Sequence, residues 1–190
     1  MHLFPDSAIP EITPENIWTL KLDELEKFAC ALMGTPAERT WVRRHNETII
    51  ANRFRSVNWT KLEKTLLDMG AKAQTIIKSN DSESILRAAA YWHLRYENTH
   101  PLYDGNGRTG RVIMALQCET ACRFSSAEIL STLQELDREY HWVFVPDNQS
   151  ERFQLLLDIL GRITGTILSE GAFQLPLPIE SEIPIGNKKS

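Results

Sequence analysis

Apolar residues recur along most of this chain at spacings of three and four, a period that predicts helices rather than strands. The first stripe is Leu22, Leu25, Phe28, Ala29 and Leu32, on a helix over residues 23–33 capped by Asp23 and stopped by Gly34 and Pro36. A second helix covers residues 60–78, with Leu62, Leu66, Ala73 and Ile77 near one stripe. A third covers residues 83–98 and carries Ile85, Ala88, Ala89, Trp92 and Tyr96. Its alanines allow another helix to approach closely. It ends because Pro101 excludes His100 from the α region. Residues 107–122 follow, with Val112, Ile113 and Leu116 apolar, and then residues 126–140, with Ile129, Leu130, Leu133 and Leu136. Trp142, Val143, Phe144 and Val145 form a hydrophobic connector. A last helix, capped by Asp147 or Ser150, runs to about residue 169 and bears Phe153, Leu156, Leu157, Leu160, Ile163 and Ile167.

Residues 40–59 break the helical period. Thr48, Ile49 and Ile50 are β-branched, Ala51 and Asn52 suit a turn, and Arg53, Phe54 and Arg55 alternate polar and apolar. A short hairpin fits, and it is the one β element expected. Trp41, Arg43, Arg44, Arg53 and Arg55 make its surroundings basic and aromatic, which suits a solvated loop or a binding surface equally. Residues 1–19, with Pro5, Pro10 and Pro14, read as an extended arm with one short turn after Pro14. Residues 173–190 read as a loosely ordered tail. Between them, residues 20–172 form one compact all-α domain carrying a small hairpin.

Composition sharpens this outline. Of 190 residues, 42% are hydrophobic and 24% charged, which fits a soluble globular domain. The net charge of −4 argues against a dedicated nucleic-acid binder. Three cysteines, Cys30, Cys118 and Cys122, show no zinc-ligand spacing, so free thiols in a reducing compartment are expected, the last two as core filler. No apolar run approaches the ~20 residues that span a bilayer, and the first residues lack a signal-peptide pattern. Cytoplasmic residence without membrane contact is the default expectation.

One stretch carries chemistry that packing does not require: His100-Pro101-Leu102-Tyr103-Asp104-Gly105-Asn106-Gly107-Arg108-Thr109-Gly110-Arg111. Gly105 and Gly107 accept backbone angles that other residues resist. They precede a helix start, where successive N–H groups make a cradle for phosphate. Arg108 and Arg111, three apart on one helix face, offer forked donors, and Asn106 adds a neutral one. Asp104 suits Mg²⁺, a hard cation that takes carboxylates and substrate phosphates. His100 can accept a proton near neutral pH. The set describes nucleotidyl or phosphoryl transfer. The spacing of Gly105, Gly107 and Gly110 is formally a dinucleotide fingerprint, but that needs a preceding strand, and the residues before it read as helix. Kinase and Walker A signatures are absent.

The stretch resembles the signature of the Fic domain, His-Pro-Phe-x-Asp/Glu-Gly-Asn-Gly-Arg-x-x-Arg, with Leu102 where the family usually has Phe. The resemblance covers most of residues 20–171. It implies a Fic-like helical domain that transfers AMP from ATP to a Ser, Thr or Tyr hydroxyl of a target protein. His100 would be the general base and Asp104 the Mg²⁺ ligand. Gly105, Asn106, Gly107, Arg108 and Arg111 would hold the nucleotide. Residues Thr48, Ile49, Ile50, Ala51, Asn52, Arg53, Phe54 and Arg55 would form the flap that docks the target by strand addition. Periodicity by itself leaves Glu170 either continuing the stripe of Ile163 and Ile167 or solvated at a frayed end before Gly171. The resemblance favours the first. Thr166-Ile167-Leu168-Ser169-Glu170-Gly171 is similar to the Ser/Thr-x-x-x-Glu-Gly/Asn inhibitory helix of one Fic class, here expected within residues 150–171. There Glu170 would pair with Arg111, with Thr166 supporting the carboxylate. Removal of AMP from a modified target and a catalytically quiet binding or toxin-control module are the alternatives. Homo-oligomerisation is left open.

Overall fold

The computed structural model describes residues 13, 16–35, 41–45, 56–77 and 81–168, and the backbone of residues 48–49 and 54–55. Seven α-helices among the described residues form the domain, joined by one hairpin. α1 (Leu22–Leu32) is not capped by Asp23. The Lys21 N–H instead donates to the Glu24 carboxylate at 2.8 Å, and Asp23 lies in the first turn, where a negative charge suits the helix dipole. A 3-10 turn, Trp59–Lys61, leads into α2 (Leu62–Ile76), started by the Asn58 side chain accepting the Thr60 N–H at 3.1 Å. α3 (Ser82–Thr99) is capped by Asp81, whose carboxylate accepts the Ser84 N–H at 2.8 Å. α4 spans Asn106–Glu119.

The expected single helix over residues 126–140 is two helices. α5 (Ser126–Glu135) opens with a reciprocal cap between Ser125 and Glu128. At Leu136 the backbone leaves helical geometry (φ −92°, ψ 18°), and α6 (Asp137–Trp142) follows directly. Tyr140 and Val143 are buried with Ile129 and Leu133. α7 (Gln149–Thr164) is capped by Asn148 rather than Asp147 or Ser150, and it stops at Gly165, whose φ of 67° ends the helix short of residue 169.

α3 lies at the centre, packed against α4, α2 and α7. Ala88, Ala89 and Ala90 are fully buried, so the neighbouring helices come close, as the sequence implies. Phe28, Trp92, Ile113 and Leu156 close the core around it. Each such side chain contributes about 2 kcal/mol, so burial rather than helix propensity fixes α3 in place. Ile17, Trp18 and Leu20 are buried in the same core, so the domain begins before residue 20 and takes in the end of the expected arm. Gly70 makes room for that join, because a Cβ there would lie 2.1 Å from the Trp18 carbonyl oxygen. Gly70→Ala is therefore expected to lower stability by about 1–3 kcal/mol, despite alanine's better helix propensity, read as a fall in the urea midpoint.

β1 (Thr48–Ile49) pairs antiparallel with β2 (Phe54–Arg55), with Thr48 opposite Arg55 and Ile49 opposite Phe54. Ile50, Ala51, Asn52 and Arg53 lie outside the described residues. The hairpin is not the only extended pairing, because Val42 forms an antiparallel bridge to Leu102. No described helix is long and apolar enough to cross a membrane. Cys118 is fully buried and Cys30 nearly so, and none of the three cysteines is in a disulfide.

Candidate active site

His100 caps the C-terminus of α3 in a left-handed conformation, φ 49° and ψ 60°, the only positive φ outside glycine among the described residues. Pro101 closes the right-handed region to it, as expected. The residue did not take the extended alternative, because its N–H reaches the Tyr96 carbonyl at 2.9 Å and ends the helix there. For a residue with a Cβ this conformation costs about 1–2 kcal/mol. Fixed neighbours hold it. Arg43 Nε donates to the His100 carbonyl at 2.6 Å and Arg43 Nη2 to the Thr99 carbonyl at 3.0 Å. Arg43 is fully buried, so this member of the basic stretch belongs to neither a solvated loop nor a binding surface.

The loop after His100 is closed on itself. The Asn106 amide donates to the Leu102 carbonyl at 2.7 Å and accepts the Leu102 N–H at 3.0 Å. The neutral side-chain donor expected of Asn106 is thus turned inward, where it shapes the loop. Leu102 is fully buried and anchors the loop at the position where the signature has Phe. Gly105 takes φ 79°, and a Cβ there would meet Met33 Sδ at 2.6 Å, so the loop sits tightly on the end of α1.

α4 begins at Asn106, and its first turn holds no acidic residue. The earliest helical hydrogen bond runs from the Thr109 N–H to the Gly105 carbonyl at 2.9 Å, so the preceding N–H groups have no partner within the helix. That end carries a partial positive charge. Asp104 stands before it, 70% exposed at its side chain, accepting the Gly105 N–H at 2.6 Å and facing Arg108 Nη2 at 3.3 Å. A loose pairing at that exposure is worth little, so both side chains are free to re-pair with a ligand. No group of three or more His, Cys, Asp or Glu gathers among the described residues. A cation at Asp104 would therefore draw its other oxygens from water and phosphate, the usual coordination of Mg²⁺.

Arg108 and Arg111 line a cleft of about 620 Å³ bounded by Leu32, Val112, Leu130, Leu133, Gln134 and Asp137. Arg111 lies over the Tyr140 ring, 5.3 Å from its centroid, a cation–π contact that aims the guanidinium. Behind it lies a buried polar cluster that the sequence pattern did not single out. His93 Nε2 and the Tyr140 hydroxyl are 2.7 Å apart, and the His93 nitrogen is 4.0 Å from Glu97 Oε1. Burial lowers the His93 pKa to about 3 and keeps its ring neutral. Burial raises the Glu97 pKa to about 7, against the pull of Arg111. Glu97 Oε1 has no hydrogen-bond partner. Gly110 permits the crowding, because a Cβ there would lie 2.9 Å from both Glu97 Oε1 and Tyr96 Cδ1. The i, i+4 spacing of His93 and Glu97 on a helix that carries Ala88, Ala89 and Trp92 was the available signal.

The loop thus gathers His100, Asp104, Gly105, Asn106, Gly107, Arg108 and Arg111 around one end of α3 and α4. Thr166 is elsewhere. It shares a second cleft with Ser82 and residues 121–124, where α3 begins and α4 ends. Its N–H bonds the Gly161 carbonyl at 3.0 Å, and Leu168 folds back onto Gly161. Ile167 is 93% exposed, so it does not extend the buried stripe of α7. The expected helical turn from Thr166 to Glu170 is thereby corrected, since the helix has already ended. Glu170 itself lies outside the described residues.

No curated protein matches the sequence. The family model described as Fic/DOC family matches residues 20–118, from the start of the helical core through the signature loop and most of α4. Because that match spans just over half of the chain and takes in the whole of the loop described above, the chain belongs to the Fic/DOC family.

Proposed function

We propose that this protein is an adenylyltransferase that moves AMP from ATP to a hydroxyl of a target protein. Members of the Fic/DOC family are typically transferases, and membership implies Fic-type nucleotidyl transfer or a related function. The observation that carries the finer reading is the start of α4. Its first N–H groups have no partner within the helix, its first turn is free of acid, and Arg108 and Arg111 on the same helix line a cleft large enough for a nucleotide. His100 stands at the other lip of the same loop. It takes the proton of a Ser, Thr or Tyr hydroxyl as that oxygen attacks the α-phosphorus. The bond from the α-phosphorus to the bridging oxygen breaks, and pyrophosphate leaves. Arg108 and the N–H cradle hold the phosphates, and Arg111 takes the terminal one. Asp104 would hold Mg²⁺, which neutralises charge on the phosphates when bound. The paired backbones of β1 and β2 support a flap that presents the hydroxyl by strand addition.

The reading includes restraint by Glu170, whose carboxylate would take Arg111 from the terminal phosphate. Thr166 itself lines the cleft beside Ala121, just past the end of α4 opposite Arg111.

ATP labelled at the α- or the γ-phosphate tests the reaction. Label from the α-phosphate on protein is expected, and it should rise when Glu170 is replaced by Gly. Transfer of γ-label alone would replace AMP transfer with phosphorylation. No gain in Glu170→Gly would remove the restraint and leave the chemistry standing.

A further inference from the structure

We propose that Arg43 is a positioning residue through which the hairpin of β1 and β2 sets the backbone of His100. The inference rests on the reading of His100 as base and of the hairpin as the target's docking edge. One buried guanidinium donates to four carbonyls. Nε reaches the His100 oxygen at 2.6 Å, Nη1 the His45 oxygen at 2.9 Å, and Nη2 both the Thr99 oxygen at 3.0 Å and the Val57 oxygen. His45 is three residues before β1 and Val57 two residues after β2. Both feet of the hairpin and the carbonyl of the proposed base therefore meet on one planar group.

The backbone repeats the connection. The Arg43 N–H donates to the Pro101 carbonyl at 3.0 Å, and the Tyr103 N–H to the Trp41 carbonyl at 2.9 Å. These bonds flank the Val42–Leu102 bridge, so residues 41–43 brace the loop directly after His100. A guanidinium suits the task because its donors are fixed in a plane, whereas a lysine ammonium is a single point of charge. Its positive charge also lies at the carbonyl end of α3, where a cation is favoured. Losing any of these carbonyls would leave a buried donor unsatisfied, so the plane resists piecemeal opening. A shift of the hairpin feet therefore tilts the plane and carries the His100 carbonyl with it. A target strand docked on the hairpin steadies both feet and holds the imidazole in its reacting position. Released from Arg43, His100 would relax toward the extended conformation that a following proline favours.

The test is Arg43→Lys, followed by kinetics and by the Cα chemical shift of His100, which reports its backbone angles without requiring activity. A fall in kcat of about 100-fold is expected with KM for ATP unchanged, because a misplaced base weakens the reaction and not nucleotide binding. The His100 Cα shift should leave its left-handed value in the folded variant. A purely structural role predicts an unmoved shift, with activity falling only with the folded fraction, and that result overturns the proposal. Absence of transfer in both the unaltered protein and Glu170→Gly would sink the functional reading, and the shift would still decide the role of Arg43. If Arg43→Lys does not fold, hydrogen exchange on the unaltered protein decides. The amides of Arg43, His100 and Tyr103 should open together with those of the β1–β2 ladder. Separate opening of the hairpin overturns the coupling.

Discussion

Replacing His100 with asparagine is expected to lower AMP transfer by about 10²–10⁴-fold, the usual contribution of a positioned general base. Asparagine is the informative substitution because the position is left-handed, φ 49°. Asparagine tolerates that region better than most side chains, whereas alanine would combine loss of the base with added backbone strain. Nucleotide affinity should stay nearly constant, because the cradle at the start of α4 and the arginines at Arg108 and Arg111 come from other residues. Labelled transfer and equilibrium binding measured on the same preparation separate the two effects. Transfer at the unaltered rate would show that the proton goes elsewhere. Weakened binding in step with transfer would show that His100 holds the nucleotide rather than the proton.

Glu97→Gln is expected to stabilise the protein by about 3 kcal/mol at pH 8 and by almost nothing at pH 4. Burial raises the Glu97 pKa from 4.5 to about 7. Below pH 4.5 the carboxyl is protonated in both the folded and unfolded chains and costs nothing extra. As pH rises toward 7 the unfolded chain releases its proton while the folded chain keeps it, so stability falls; above 7 the loss is complete. A shift of that size corresponds to about 3 kcal/mol. His93 acts in the opposite sense. Its pKa is lowered to about 3, so its contribution is present above about 6.5 and is lost as pH falls toward 3. The two overlap in weak acid and partly conceal one another in the unaltered protein. The difference between Glu97→Gln and the unaltered chain isolates Glu97. Urea unfolding at several pH values would measure it, and a difference independent of pH would mean that Glu97 is not buried as a proton-binding group.

The helices were legible because their buried stripes follow the helical period, and the signature loop because its residue types are dear to place together without a use. What escaped the sequence depends on direction rather than composition. Leu130, Leu133 and Leu136 look alike in a helical count, yet the helix breaks at Leu136, and beyond the break the Tyr140 hydroxyl meets His93. Arg43 and Arg44 are adjacent and chemically equivalent in sequence, but one is fully buried on four carbonyls and the other exposed. Long-range contacts of that kind leave no local period to read. The end of α7 misled for a related reason. Ile163 and Ile167 keep helical spacing, but Gly165 lies between them and its left-handed backbone ends the run.

The closed pairing of Asn106 with Leu102 has a consequence for how a nucleotide would arrive. Both hydrogen bonds join groups of the chain itself and need no ligand atom. Loop ordering is therefore completed during folding and does not recur at each encounter. What binding must still immobilise is mainly the rotamers of Arg108 and Arg111. Association should then carry the small heat-capacity change of a ligand entering a preformed site, rather than the large one of a segment that folds around its guest.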